Sequence, residues 1–333
     1  MVKYQSFLQK FHNLFTKWYN LFGDLMQFQY SDNNKRYHTL DYYYKQKFGQ
    51  KIMKVSLNAG FSCPHLKSGG CIYCSNSGSG EYAGKIEDSL TEQFNKGKNM
   101  MNKKWPHGKY IAYFQVRTNT YAPLEELKEK YEEVLKLEDV VGLAIATRPD
   151  CISLECLDYL EDLSKRTFLT VELGLQTIHE KTANLINRGH DLKSFSKMVA
   201  KLRKRNINVV VHIINGLPYE TEEMMLATVK YLNNLDIQGV KIHMLYVLKN
   251  TALEKLYREK PFKILSQAEY VKIVCQQLQY LRKEIVIHRL TGDPKVEDLI
   301  TPFWLVKKVC VLNDIDKYMA QNDIVQGQKV EKN

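Results

Sequence analysis

Six short apolar runs alternate with helix-like segments along the chain, and this alternation limits the possible folds more than any other feature. Strands that alternate with helices predict parallel β/α units joined by right-handed crossovers. Six such units predict an α/β fold, an open, partial (β/α)6 barrel. The strand candidates span residues 53–58, 110–116, 140–146, 168–175, 207–214 and 240–247.

Helix signals lie between and after these strands. Pro123 begins one helix, Thr221 can cap the N-terminus of another, and Ser266 with Glu269 forms a capping box for a third. A strand and turn at 284–292 and a helix at 302–318 are expected to close the barrel. The predicted segments are an amphipathic N-terminal extension (1–35), the partial barrel (36–250), a closing segment (251–320) and a flexible tail (321–333).

An unusual loop follows each predicted strand. In β/α barrels the site is built at the carboxyl ends of the strands, so these loops are expected to converge on one mouth. The sequence therefore predicts one site, arranged around the cysteines of the first loop. The other loops, in order, hold residues 115–121, residues 147–151, Gln176, Asn215 with Gly216, and residues 249–251.

Three cysteines, Cys63, Cys71 and Cys74, form a C-x7-C-x2-C pattern directly after the first strand. Gly69 and Gly70 let the chain fold back, so three thiolates can reach one metal centre. A 4Fe-4S cluster normally takes four cysteines. A cluster held by three therefore leaves one iron open to an outside ligand.

Zinc is the alternative for this loop, because His65 could complete a site of three cysteines and one histidine. The spacing alone leaves zinc, an iron-sulfur cluster and unligated thiols open. The neighbouring sequence favours the cluster, because a strand precedes the loop and a stretch of small residues at 75–84 follows it. A second ligand pair, which a zinc ribbon needs within about 20 residues, is missing.

The charge balance favours a polyanionic partner. The 333 residues carry a net charge of +11, with basic clusters at 96–109 and 201–205. Such a balance suits RNA, although solvated helix faces give the same pattern.

The seven cysteines show no regular framework, and the N-terminus shows no signal-peptide pattern. Both features predict a reducing, cytoplasmic location. No apolar run reaches the length of a membrane span. Apolar residues between Phe7 and Leu25 recur at helical spacing, which predicts a helix docked on the body or, alternatively, on a membrane surface or a partner.

Eight short motifs occur in one order along the chain. They are RYHTLDYYY (36–44), VSLNAGFSC (55–63), GGCIYC (69–74), ATRPDC (146–151), ELGLQ (172–176), NRGH (187–190), NGLP (215–218) and HRLTGD (288–293). These motifs resemble the YhcC/YtqA-like bacterial subfamily of radical S-adenosylmethionine (SAM) enzymes, which is related to the elongator catalytic subunit and to the oxygen-independent coproporphyrinogen oxidase. The resemblance runs from about residue 36 to about residue 318.

The resemblance implies two cofactors, a 4Fe-4S cluster on the three cysteines and SAM. Members cleave SAM reductively to a 5′-deoxyadenosyl radical, which takes a hydrogen atom from the substrate. It also implies an electron donor such as flavodoxin or ferredoxin.

The resemblance also implies roles for SAM-binding residues. Gln176 would bond the ribose, and Arg188 would pair with the methionyl carboxylate. Backbone at Tyr73 and around Ile214, Asn215 and Gly216 would border the adenine. Gln115 stands where many relatives carry a Gly-Gly-Glu turn, so the partner of the SAM amine stays open, and Glu172 is a further candidate with a structural salt bridge as the alternative.

Other residues are candidates for the substrate side. Cys151 lies at the mouth of the third strand, as a hydrogen donor, a substrate contact or a passive buried thiol. Arg289 and Asp293, with His288, could line the substrate side or form caps and ion pairs. Residues 38–44 are expected to cover the barrel or to stack a base, and Cys156, Cys275 and Cys310 are expected to pack in the core.

Three hypotheses about function remain, two for the substrate of an enzyme and one for a protein without enzymatic activity. The first is tRNA, with processing of a carboxymethylaminomethyl or related group at C5 of the wobble uridine and a tRNA methyltransferase as a partner. The second is a small molecule such as a tetrapyrrole. The third is a non-enzymatic, zinc-containing RNA-binding protein.

Overall fold

The computed structural model describes residues 28–75, 78, 80 and 82–331. The amphipathic helix predicted between Phe7 and Leu25 lies outside these residues. No helix in the described part of the chain is both long enough and apolar enough to cross a membrane.

Seven parallel strands form one sheet, in the order β1-β2-β3-β4-β5-β6-β8. Each strand pairs with its neighbour in this order, and all six pairings are parallel. β7 and β9 form a separate antiparallel pair. The strands are β1 (Ile52–Leu57), β2 (Lys109–Phe114), β3 (Val140–Thr147), β4 (Phe168–Gln176), β5 (Asn208–Asn215), β6 (Gly239–Met244), β7 (Val247–Leu248), β8 (Val286–Arg289) and β9 (Leu299–Thr301).

This sheet confirms the predicted partial barrel, with β8 as the expected closing strand. Most strand boundaries differ from the prediction by one or two residues, and two larger differences have a structural cause. The sixth strand ends at Met244 because the chain turns there and Val247–Leu248 pairs with β9 instead. The last helix begins at Lys308, because Phe303–Lys307 forms a 3-10 helix rather than an α-helix.

Helices connect the strands and cover the outside of the sheet. The Thr221 hydroxyl accepts from the amide of Met224, and Ser266 and Glu269 form the expected capping box. The helices are α1 (Leu40–Phe48), α2 (Leu90–Asn102), α3 (Leu124–Leu135), α4 (Leu154–Arg166), α5 (Glu180–Leu185), α6 (Leu192–Lys204), α7 (Glu222–Leu232), α8 (Ala252–Glu259), α9 (Gln267–Tyr280) and α10 (Lys308–Gln321).

Side chains alternate between two faces of each strand, as the twofold period of a strand requires. Outward residues such as Val55, Phe114 and Ile145 pack against the helices in the main core. Burying this layer supplies most of the hydrophobic stabilisation. The inward residues face a different environment, which is the site described below.

Helix α1 closes the amino-terminal end of the barrel. Tyr44 packs with Ile52 and Ile111 at the starts of β1 and β2. The rings of Tyr44 and Phe48 lie 6.1 and 5.4 Å from the ring of Phe168, the first residue of β4. The prediction that this segment covers the barrel is confirmed.

The flexible tail predicted from Gln321 is wrong for residues 322–331. Gln326 is 2% exposed, and its amide oxygen accepts from the backbone of His38 at 2.8 Å. Its amide nitrogen donates to the carbonyls of Arg282 and Ile285 at 2.9 and 2.8 Å. The tail therefore stays docked because one glutamine satisfies buried backbone groups from two distant segments. The segment boundaries at residues 35, 250 and 320 stay predictions.

Candidate active site

A cavity of about 420 Å³ lies inside the half-barrel. The carboxyl-terminal ends of the strands reach it through residues such as Ser56, Gln115 and Thr147, as the loop pattern predicted. Each strand of the sheet also contributes an inward side chain. These are Lys54, Tyr113, Ala146, Glu172, His212, Lys241 and Arg289, in strand order.

The cysteine loop forms part of this wall, with Cys63, Cys71, Cys74 and Tyr73 all lining the cavity. The loop begins as a short 3-10 helix, Pro64–Ser68, and then reverses at two glycines with φ of +90° and +69°. Glycine adopts this left-handed backbone without strain, which confirms the predicted chain reversal.

Asn187, two residues after the end of helix α5, holds the cysteine loop in place by hydrogen bonds. Its side-chain nitrogen donates to the carbonyls of Ser68 and Gly70 at 3.0 and 2.7 Å. The backbone of Ile72 also donates to the carbonyl of Ile186 at 3.1 Å. The segment after β4 therefore positions the cysteine loop.

The donor set fits an iron-sulfur cluster. A hydrogen bond with Cys74 lowers the pKa of the Cys71 thiol, and Tyr73 and Arg148 act in the same direction against burial. Thiolates are the form that binds iron. Three cysteines that line one cavity can therefore hold a cluster, since each would bind a different iron.

The geometry does not support the zinc alternative. Among the described residues, no three His, Cys, Asp or Glu side chains converge on a position for one ion. His65 Nε2 lies 2.6 Å from the carbonyl oxygen of Asn187, and its Nδ1 lies 2.7 Å from the hydroxyl of Ser68. Both ring nitrogens of His65 are thus engaged in holding the loop rather than facing the thiols.

Gln176 lies in the cavity wall at the end of β4, where the pairing with β5 shifts register. Its φ of +62° is unusual for a residue with a side chain. The side chain folds over Gly174, where a Cβ atom would lie 2.5 Å from the Gln176 amide nitrogen. Gly174 thus makes room for the glutamine, whose bond to the SAM ribose stays a prediction.

Arg188 holds the turn that carries Gln176. Its side chain is 1% exposed, and Nη1 donates to the carbonyls of Leu175 and Thr177 at 2.8 and 2.6 Å. Nε donates to the carbonyl of His190 at 2.8 Å, and Nη2 lies 3.5 Å from Glu180. Four of its five donors are engaged, so pairing with the SAM carboxylate stays a prediction with one donor left for it.

The segment predicted to border the adenine reaches the cavity through Ile214, whereas Asn215 and Gly216 are not among the lining residues, so their contact with SAM stays a prediction. The side chain of Asn215 is 1% exposed and exchanges hydrogen bonds of 2.7 and 2.8 Å with Gln277 on α9. Gly216 lies against Met225, with its amide 3.1 Å from the sulfur. These residues join β5 to the helix layer.

The role of Cys151 as a hydrogen donor or a substrate contact stays a prediction, with a passive buried thiol as the alternative. Cys151 lies in a separate cleft with Thr120 and Tyr121, outside the main cavity. Burial raises the pKa of its thiol to about 12. Of the cysteines expected in the core, Cys156 and Cys275 are buried there, whereas Cys310 is exposed.

Arg289 and Asp293 line the cavity, as do Gln115 and Tyr73. Both carboxylate oxygens of Asp293 lie 3.1 Å from Nζ of Lys308. The ion-pair alternative therefore describes Asp293, whereas Arg289 faces the interior of the barrel.

A buried charge network fills the inner face. The side chain of Glu172 is fully buried and accepts from Lys54 at 2.7 Å and Lys241 at 2.5 Å. His212 Nε2 lies 2.8 Å from the same carboxylate. Burial disfavours the charge of Glu172, but Lys241 and Lys54 outweigh it and hold its pKa well below the usual value. The salt-bridge alternative for Glu172 is therefore the observed one.

The lysines of this network differ. Burial lowers the pKa of Lys241 to about 7 although Glu172 opposes the shift, while the pKa of Lys54 is raised because Glu172 outweighs burial. Lys241 also donates to the hydroxyl of Tyr113 at 3.0 Å. The network thus contains one lysine whose charge Glu172 favours strongly and one whose charge burial disfavours.

Sequence reasoning missed Lys54, His212, Lys241 and His243, all of which line the cavity. The signal was present as polar residues at alternate positions within apolar strands, as in K-I-H at 241–243. A twofold period with polar residues on one face marks an inner surface that is not core.

The comparisons with known proteins agree with this geometry. The family model of the radical SAM superfamily matches residues 62–232, and that of the Radical_SAM C-terminal domain matches residues 237–321. The chain is 50% identical over 305 residues to the uncharacterized protein YtqA of Bacillus subtilis, which covers 90% of this chain and 95% of that protein. It is 30% identical over 287 residues to YhcC of Escherichia coli, with coverage of 85% and 91%.

Two more distant similarities are to proteins of one organism, Methanocaldococcus infernus. The tRNA uridine(34) acetyltransferase of Methanocaldococcus infernus is 26% identical over 208 residues, which is 60% of this chain and 38% of that protein. The solved structure of Elp3 from the same organism, with residues 1–46 deleted, superposes with a TM-score of 0.63 at 18% identity. That superposition covers 83% of this chain and 64% of the Elp3 chain, and it shows a shared fold.

The family matches cover the cysteine loop, the six strands of the sheet other than β1, and the closing helix α10. Together with the cluster-compatible thiols, they establish the cofactors as a 4Fe-4S cluster and SAM. The chain belongs to the radical SAM superfamily.

Proposed function

We propose that this radical SAM enzyme modifies the C5 substituent of the wobble uridine in tRNA, with a carboxymethylaminomethyl or related group as the specific target. The observation that carries the proposal is the similarity, over 60% of the chain, to a protein named for its action on uridine 34 of tRNA. The net charge of +11 is consistent with a polyanionic partner.

The chemistry divides between the cofactors and the protein. When bound, the cluster and SAM supply a carbon-centred radical that can remove a hydrogen atom from a C–H bond. Cys63, Cys71 and Cys74 would hold the cluster, and Gln176 would orient SAM beside it. Helix α1 seals the other end of the barrel with aromatic rings, which excludes water from the reacting groups.

The dimensions of the cavity suit a single nucleobase rather than folded RNA. A volume of about 420 Å³ is in the range of small-molecule sites. A wobble base lies in a single-stranded loop, where a base can be splayed out and inserted into a pocket. The RNA backbone would then remain at the mouth of the barrel.

The proposal includes partners. Reductive cleavage of SAM consumes one electron, so a donor such as flavodoxin or ferredoxin is required. A tRNA methyltransferase that acts on the processed nucleoside would be a functional partner. None of the seven cysteines forms a disulfide, which fits a reducing compartment such as the cytoplasm.

The test is mass spectrometry of tRNA nucleosides from cells that lack the protein. We expect loss of one modified uridine and accumulation of its precursor. Complementation with the wild type or with Cys310→Ala, which changes an exposed cysteine, should restore the modification, and Cys71→Ala should not. Unchanged nucleosides would overturn the proposal and direct the search to a small molecule such as a tetrapyrrole.

A further inference from the structure

The cavity wall has an excess of positive charge. Among the described lining residues, six are lysine or arginine and two are carboxylates. Asp293 is already paired with Lys308, and Glu172 is shared by Lys54 and Lys241. The six cations are Lys54, Arg117, Arg148, Arg188, Lys241 and Arg289.

The arginines of the cavity differ in how they are held. Arg148 pairs with Asp150 at 2.8 Å and donates to the carbonyl of Arg188. Arg188 is bound by backbone carbonyls. The side chain of Arg289 makes no hydrogen bond or ion pair with any residue in the described ranges, yet it lines the cavity and is only partly exposed. Its guanidinium is therefore available to bind an anion.

Lys241 stands next to Arg289, because the register of β6 and β8 pairs these two residues directly. The ring atoms His243 Nε2 and His288 Nδ1, on the same two strands, are buried without a hydrogen-bond partner in the described structure. Two adjacent cations and two unpartnered imidazole atoms thus share one side of the cavity.

We propose that Lys241 and Arg289 form a carboxylate-binding subsite that holds the acidic end of the substrate. A guanidinium fork matches the two oxygens of a carboxylate, and the neighbouring ammonium adds a third donor. The inference deepens the proposed function and rests on it for the identity of the substrate, because a carboxymethylaminomethyl group ends in a carboxylate.

The position in the barrel assigns this subsite to substrate rather than to SAM. Gln176 and the cysteine loop lie at the carboxyl ends of the strands, whereas Lys241 pairs with His212, which in turn pairs with Gly174, two residues before Gln176 on β4. Two strand residues span roughly 7 Å at about 3.3 Å each. The pair of Lys241 and Arg289 therefore lies nearer the amino-terminal end of the barrel than Gln176 does. A substrate group that extends beyond SAM into the cavity would reach this position.

The test measures binding of small probes to the reconstituted full chain, with SAM bound and no reductant. The probes are 5-carboxymethylaminomethyluridine, 5-aminomethyluridine without the carboxylate, and uridine 5′-monophosphate as a phosphate source. N-methylglycine, compared with methylamine, tests the carboxylate alone. The variants are Arg289→Gln, the conservative Arg289→Lys, and Arg258→Gln as a matched change at an exposed arginine on α8.

We expect the wild type to bind the carboxylate nucleoside roughly tenfold or more tightly than the aminomethyl nucleoside. Arg289→Gln should reduce this preference to about twofold or less, Arg289→Lys should keep part of it, and Arg258→Gln should keep all of it. The affinity for SAM should not change in any variant.

Three results would overturn the subsite. The first is that Arg289→Gln keeps the preference for the carboxylate nucleoside over the aminomethyl nucleoside. The second is that Arg289 increases the affinity for uridine 5′-monophosphate rather than for the carboxylate nucleoside. The third is that Arg289→Gln lowers the affinity for SAM instead. The N-methylglycine arm separates this inference from the proposed function. Arg289-dependent binding of N-methylglycine, together with unchanged tRNA nucleosides in cells, would retain the subsite and reject tRNA as the substrate.

Discussion

Replacing Glu172 by glutamine removes the carboxylate on which Lys54, Lys241 and His212 converge. The side chain is fully buried, with nitrogen to oxygen distances of 2.7, 2.5 and 2.8 Å to these partners. Breaking a buried ion pair by removing one partner costs about 3–5 kcal/mol, because the other charge stays buried without compensation. Glutamine keeps one acceptor, so we expect a loss near the lower limit, about 3 kcal/mol in the free energy of unfolding.

The assay is guanidinium unfolding of the reconstituted protein, followed by circular dichroism without oxygen. With a denaturant slope of about 5 kcal/mol/M, the midpoint should fall by roughly 0.6 M at pH 7. Glu222→Gln is the matched control, because Glu222 forms a partly exposed pair with Lys272 at 3.2 Å. An exposed pair contributes at most about 1 kcal/mol, so the control should shift by roughly 0.2 M or less.

The loss should depend on pH in a defined direction. In the variant, burial is no longer opposed by Glu172, so the folded-state pKa of Lys241 falls further below the unfolded value of about 10.4 and that of Lys54 changes from raised to lowered. Such a shift destabilises the fold fully at pH values below the folded pKa, and the penalty disappears as the pH approaches the unfolded pKa. The difference from wild type should therefore be smaller at pH 9 than at pH 6.

Removing one cation should compensate for removing the anion. We expect Glu172→Gln with Lys54→Met to recover at least about 1 kcal/mol relative to Glu172→Gln alone, because one unpaired buried charge is gone. The reasoning is refuted if Glu172→Gln and Glu222→Gln unfold at the same midpoint at pH 7.

Three other changes test separate parts of the site. Cys71→Ala should abolish bound iron, sulfide and 5′-deoxyadenosine formation while the circular dichroism spectrum is kept, and Cys310→Ala should change none of these; retained 5′-deoxyadenosine in the first variant would contradict the ligand assignment. Gln176→Gly should change the free energy of unfolding by less than about 1 kcal/mol, because glycine adopts a φ of +62° without strain, and should weaken SAM binding by titration; unchanged SAM affinity would remove Gln176 from the site. Arg188→Lys should lower the free energy of unfolding by about 2–4 kcal/mol, since backbone carbonyls of the turn after β4 lose their donors; unchanged stability with weaker SAM binding would instead assign the guanidinium to SAM.

The sheet was predictable because its outward face is continuously apolar. The run at 208–215 contains Val209, Val211 and Ile213, all of which pack against the helices, and the neighbouring strands carry the same pattern. Cap residues such as Thr221 mark helix starts because they act through groups three residues away. The cysteine loop was predictable because its spacing and glycines are local features.

The direction that a residue takes beyond the end of a strand was not predictable, because a distant partner decides it. Asn215 turns out of the cavity to pair with Gln277, which lies 62 residues later in the chain. The docking of the tail depends on Gln326 bonding to His38, 288 residues earlier. Local periodicity contains no information about such contacts, so it cannot predict which way a residue faces at the start of a loop.

The two faces of each strand have separate roles, and this separation affects how proteins of this kind diverge in evolution. The outward face supplies the packing that keeps the sheet folded, and the inward face supplies the charges and imidazoles of the cavity. A descendant can therefore exchange inward residues singly, such as Lys241 or His243, and acquire a new chemical preference while the shell that carries them is inherited unchanged.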